Sequence, residues 1–135
     1  MQPVDFAKAF GLAILLMVIN VAAAFGVVAV YSYAVDPGHD AAYYDAAALS
    51  IAPWSSVAGG IVLFFIACFL AARRRPERNA FGFALASAAS YIGIDAAVLL
   101  AAGAFQALGM VVPVSFGTKL AAALAGAWSG RPRGV

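Results

Sequence analysis

The stretch Ala72-Arg73-Arg74-Arg75-Pro76-Glu77-Arg78-Asn79 decides how the chain is read. It is the only dense block of charge, and long runs with almost no charge lie on both sides of it. Charge so concentrated between apolar runs reads as a turn dividing the chain into two helical hairpins. Working outward, residues 54–72 before it and 80–101 after it each hold an apolar run long enough to cross a hydrocarbon core about 30 Å thick.

Two further runs complete the pattern. Residues 9–34 contain no charge, and Asn20 is their one strongly polar side chain. Residues 105–128 form the last run, with Pro113 inside it, after a tight turn at Ala102-Gly103-Ala104. The first run is too long for the apolar region of a cleaved leader and is expected to be a retained span. The expected fold class is therefore all-α: a single polytopic domain over 1–135, an antiparallel bundle of four transmembrane helices with the turn at 73–79 in the cytoplasm. Composition agrees, since 65% of the 135 residues are hydrophobic and 10% charged, against about half and a quarter in soluble domains.

The connection from Val35 to Pro53 is the longest. Asp36-Pro37-Gly38 signals a turn, and an Asp or His before the alanine-rich residues that follow can cap a helix beginning near Asp40. Tyr43, Tyr44, Leu49 and Ile51 would let that short helix lie in the membrane interface, with Pro53 ending it and Trp54 opening the next span.

Charge sets the orientation. Lys8, Arg73, Arg74, Arg75, Arg78, Arg131 and Arg133 all fall on one side of the four-span arrangement, while the other side carries Asp36, Asp40 and Asp45 with no Lys or Arg. The positive-inside rule puts both termini and the arginine turn in the cytoplasm, as in a bacterial inner-membrane protein. A short echo, Ala9-Phe10-Gly11-Leu12-Ala13 against Ala80-Phe81-Gly82-Phe83-Ala84, is compatible with duplicated hairpins.

Asp95 and Lys119 are the ionisable residues inside the spans. Counted from the inner boundary, Asp95 sits roughly 21 Å up span three and Lys119 roughly 14 Å up span four. Side chains lean toward the N-terminus of their own helix. Because the two helices run in opposite directions, the charges lean toward each other, and an ion pair is one expectation. The other is that Lys119 snorkels to the cytoplasmic headgroups while Asp95 reaches the outer interface. Ser87, Ser90, Tyr91 and Asp95 share one stripe of span three, and with Asn20 they are the candidates for an intramembrane polar site. Interhelical hydrogen bonds are the expected explanation of the stripe, and a small wet cavity in the outer half of the bundle is the alternative.

Arg73, Arg74, Arg75 and Arg78 are candidates for contact with lipid headgroups. Small residues four apart at Ala22/Gly26, Ala84/Ala88, Gly117/Ala121/Ala125 and Gly126/Gly130 permit close helix approach within one chain or between copies. A lone histidine, His39, and a lone cysteine, Cys68, leave no basis for a cofactor or thiolate metal centre, and none is expected. No phosphate loop, no nucleophile beside a base and no nucleic-acid signature occurs. The functional expectation is a non-enzymatic structural or accessory membrane protein. Its partners would be the lipid bilayer and, through helix packing, further copies of itself or other membrane proteins. The alternative is a small transporter or channel built around Asp95 and Lys119.

Overall fold

A computed structural model describes residues 1–132; Arg133, counted above among the cations, lies outside the described residues. Four α-helices account for most of the chain: α1 (Pro3–Val30), α2 (Ala41–Arg74), α3 (Ala80–Ala101) and α4 (Val111–Ser129). No strand occurs among the described residues. All four helices are long and apolar enough to cross a membrane.

Local chemistry accounts for each helix start. Pro3 takes the first turn of α1, where its missing N–H costs nothing, and the Gln2 backbone N–H donates to Asp5 Oδ2 at 2.9 Å. Asp40 caps α2 by accepting from the Tyr43 backbone N–H at 2.9 Å, and Asn79 caps α3 through the Gly82 N–H at 2.9 Å. At its far end α1 widens into one π-helical turn, Tyr31–Val35, closed by the Asp36 N–H on the Tyr31 carbonyl at 2.9 Å.

Three expectations about boundaries are corrected. The short helix expected over residues 40–51 is not a separate element, because those residues form the first turns of α2, which continues through Pro53 to Arg74. Proline removes one N–H and orphans the carbonyl four residues back. That carbonyl belongs to Leu49, an exposed residue near the start of the helix, where external hydrogen-bond partners can replace the lost bond. The last span starts later than 105, because residues 102–110 form an irregular connection in which Gly103 and Gly109 adopt φ values of 65° and 51°. Those left-handed conformations suit glycine and interrupt a helix. Pro113 consequently sits in the first turn of α4 and leaves no interior carbonyl unpaired.

Packing follows a square order. α2 lies most extensively against α4, α1 packs on both α2 and α3, and α3 packs on α4. The tightest approach is at the α2–α4 seam. A Cβ on Gly126 would overlap the Phe65 carbonyl oxygen, and one on Gly130 would overlap the Phe69 carbonyl oxygen. The Gly126/Gly130 pair is thus spent inside the molecule, whereas Gly117, Ala121 and Ala125 on the same helix are exposed. Ala13, Leu16, Phe64, Cys68, Ala84, Ala88, Ala123 and Ala127 form the core of the half nearer the arginine turn. At that end Arg78 and Asp5 approach to 4.0 Å, and the Arg131 guanidinium covers the Phe81 ring at 3.8 Å. The start of α1, the α2–α3 turn and the end of α4 therefore share one end of the molecule.

Candidate functional site

Two adjacent glycines in α2 create room for the buried polar groups. A Cβ on Gly60 would overlap the Lys119 side chain at Cε and come within 3.0 Å of its Cγ. A Cβ on Gly59 would come within 2.7 Å of Asn20 Oδ1. Lys119 from α4 and Asn20 from α1 thus reach toward the same two-residue gap in α2, and both are buried, at 0% and 1% exposure.

The lysine leans back along its own helix, as side-chain direction requires. Its Nζ donates to Ser115 Oγ at 2.7 Å, one turn nearer the α4 N-terminus, and lies 3.9 Å from Asp95 Oδ2 on α3. The Tyr91 ring sits beneath the ammonium, 4.7 Å from its centroid, so a π-face completes the cation's surroundings. Asp95 is less enclosed, with 28% of its side chain exposed. Asp95 and Lys119 are brought together inside the protein, and Lys119 does not extend toward the arginine end.

Asn20 ties three helices together. Its Nδ2 donates toward the Ser56 carbonyl at 3.1 Å, Ser56 Oγ at 2.8 Å and the Tyr91 hydroxyl at 3.0 Å. Three acceptors exceed what two amide hydrogens serve, while Asn20 Oδ1, facing Gly59, has no hydrogen-bond partner among the described residues. Tyr91 is shared by both clusters, because its hydroxyl meets Asn20 and its ring faces Lys119. Phe64 packs edge-on against the same ring at 5.1 Å, and through this pair the network borders the apolar core.

Two residues of the expected stripe stay out of this network. Ser87 is buried but returns its hydroxyl to the Phe83 carbonyl of its own helix at 2.9 Å. Ser90 is half-buried and is not among the hydrogen-bond partners of Lys119 or Asn20. Conversely, sequence reasoning did not single out Ser56, Ser115, Gly59 or Gly60 as site residues. Ser115 was findable, standing four residues before Lys119 on one helix face. The Gly59-Gly60 dipeptide in mid-span was also a visible signal, since two adjacent glycines there weaken a helix unless something occupies the space.

A cavity of about 170 Å³ adjoins the network on the side away from the arginine turn; Pro53, Ser56, Asp95, Val112, Ser115 and Phe116 contribute to its walls. It brings Asp95 and the two serines to one small space. Beyond Phe64 the buried side chains described are apolar except Ser87, which is bonded to its own helix.

At the same end, but on the surface, Asp36 gathers hydroxyls and an imidazole. It accepts from the Tyr43 hydroxyl, and from the Tyr31 hydroxyl at 3.3 Å, while His39 Nε2 lies 3.1 Å from its Oδ1. The Tyr43 bond first, and then His39, hold the Asp36 carboxyl below the usual carboxylate range. His39 stacks on Tyr43 with centroids 4.0 Å apart, and the nearby Asp40 is used as the cap of α2.

The four arginines part company. Arg73 lies 5.9 Å over the Phe69 ring, Arg74 is exposed, and Arg75 pairs at the surface with Glu77 at 3.7 Å. Arg78 turns inward, donating to the Ala71 carbonyl at 3.1 Å and lying 3.5 Å over the Phe83 ring. Its Nε is buried without a partner among the described residues. No protein-family model, no curated protein sequence and no solved structure matches the chain.

Proposed function

We infer that the chain is a small inner-membrane protein, an antiparallel four-helix bundle with both termini and the arginine turn in the cytoplasm. Charge supports the orientation: six described cations cluster at one end, and Asp36, Asp40 and Asp45 belong to the other. Length supports the placement of α2. From Trp54 to Arg74 the helix covers roughly 30 Å, so its earlier turns project through the outer headgroup layer.

Within that frame the protein acts as a structural or accessory component, without catalysis, through packing against its own copies or other membrane proteins. The observation that carries this reading is that the intramembrane polar groups mostly satisfy one another. Lys119 is taken up by Ser115, Asp95 and the Tyr91 ring, and the Asn20 amide donors by Ser56 and Tyr91. Such groups fix helix register and depth. The exposed Gly117/Ala121/Ala125 face then remains for a neighbouring helix.

Energy transfer between donor- and acceptor-labelled copies in vesicles tests this. Transfer above the level of random proximity, lost in Ala121→Leu, is expected; transfer unchanged by Ala121→Leu would remove α4 from the contact. A small transporter or channel is the second reading, favoured by the cavity at Asp95. It requires proton or solute flux in the same vesicles that Asp95→Asn abolishes, and such flux would displace the structural reading.

A further inference from the structure

We propose that the chain carries a built site for one anionic glycerophospholipid of the cytoplasmic leaflet, between α1 and α2 at the arginine end. The proposal rests on the membrane orientation inferred above and adds an identified ligand class to it.

Two hollows meet there. A groove of about 570 Å³ runs between α1 and α2, its walls formed mainly by leucines and an isoleucine such as Leu12, Leu15, Leu63, Ile66 and Leu70. Its mouth is cationic, with Lys8 from α1 and Arg74, Arg75 and Arg78 from the turn. Beside it a polar cup of about 260 Å³ shares Lys8, Arg75 and Arg78 with the groove. Gln2 and Asn79 add amide donors to the cup, and Asp5 and Glu77 also line it, leaving one net positive charge from its five ionised side chains.

The dimensions fit one leaflet. On α1 the lining runs from Lys8 to Leu16, roughly 12 Å, and on α2 from Arg74 back to Leu63, roughly 16 Å. Half of a hydrocarbon core is about 15 Å, so an acyl chain entering beneath the cations follows the groove for the depth of its own monolayer. The charge is also available. Arg78 donates to the Ala71 carbonyl but meets the Asp5 carboxylate only at 4.0 Å, and its Nε has no acceptor among the described residues, so its charge is only loosely balanced there. A phosphate at the mouth supplies the missing negative charge, and the amides suit an uncharged polyol headgroup.

Geometry also separates the cations into those that matter and those that do not. Arg75 lines both hollows, whereas Arg73, two residues away, lines neither and lies over Phe69. Diffuse attraction to an anionic surface would treat the two alike, but a built site does not.

The test uses the full chain in detergent micelles, with phosphatidylglycerol, phosphatidylethanolamine and phosphatidylcholine of identical acyl chains added separately and retention read by native mass spectrometry. Phosphatidylglycerol is expected to be held in preference to the other two. Arg75→Gln should lower its retention about fivefold, and Lys8→Gln with Arg75→Gln about 25-fold. Arg73→Gln should leave it unchanged. Glycerol 3-phosphate, which offers the phosphate without chains, should fail to displace the lipid. Equal retention of the three lipids, an Arg73→Gln loss equal to that of Arg75→Gln, or displacement by glycerol 3-phosphate would each overturn the site. Release of the chain from membranes by alkaline carbonate would instead strike the membrane reading on which the site depends.

Discussion

Gly60→Ala should reverse its effect on stability according to what stands at position 119. In the native chain the added methyl falls onto Cε, Cγ and Cδ of Lys119, in the middle of the side chain and not at a free tip. Overpacking a filled site by one methyl costs about 1–3 kcal/mol. Pushing the stem aside also weakens the Nζ–Ser115 bond at 2.7 Å, a charged hydrogen bond worth about 1.5–3 kcal/mol. Against these stands the gain of about 1 kcal/mol for alanine over glycine in a helix. The net expectation is a loss of about 2 kcal/mol. In Lys119→Ala the stem is gone, the methyl enters vacated space, and only the helix gain of about 1 kcal/mol remains. The interaction energy between the two positions is therefore about 3 kcal/mol, at the upper end for residues in contact.

The assay is reversible unfolding in mixed micelles, raising the mole fraction of a denaturing detergent and following helicity by circular dichroism for all four members of the cycle. Lys119→Met with Gly60→Ala adds a control, because it keeps a stem and removes the charge, so the alanine should still be costly. Additivity within about 0.5 kcal/mol would show that Gly60 is not the opening through which Lys119 enters.

Two other outcomes follow from the same physics. Gly126→Ala should destabilise by about 1–3 kcal/mol in that assay, because its methyl meets backbone at Phe65, while Gly117→Ala, whose methyl meets no other described residue within 4 Å, should be neutral or stabilising by up to about 1 kcal/mol; equal effects would refute the α2–α4 seam. The Asp36 carboxyl titrates below its ordinary 3.8, so its contribution to ordering Tyr31, Tyr43 and His39 is complete above about pH 4 and is lost as pH falls through the lowered value. Carbon-13 chemical shifts of Asp36 should show this, and Tyr43→Phe should return the midpoint toward 3.8; an unmoved midpoint would remove Tyr43 as the main cause.

The helices were legible because their signal is compositional. Residues 54–72, with Ile61-Val62-Leu63-Phe64-Phe65-Ile66 among them, carry no charge over a spanning length, and the arginines mark where that run stops. The boundaries were less legible because they depend on backbone states. Proline usually ends a helix, yet Pro53 falls where the orphaned Leu49 carbonyl is near an exposed helix start, and α2 passes through it. Phe105 continues the apolar pattern of a span, yet the positive φ of Gly103 and Gly109 keeps residues 102–110 out of a helix.

The site divides along a similar line. Opposed helix direction was enough to suggest that Asp95 and Lys119 lean together, since that argument needs only chain order and the tilt of side chains. What sequence could not weigh was the space a lysine needs. A buried stem requires a missing side chain on the facing helix, and which residue faces which depends on the rotation of α2 about its own axis, which periodicity in an almost uniformly apolar helix does not reveal. Gly59 and Gly60 settle that rotation, turning one glycine toward Asn20 and the next toward Lys119. The same rotation carries Ser56, one turn earlier, to Asn20 and lays Phe65 and Phe69 against Gly126 and Gly130. One helix orientation thus accounts for the polar network and the tight seam together, and for this reason the Gly60→Ala cycle probes the polar network and the α2–α4 packing at once.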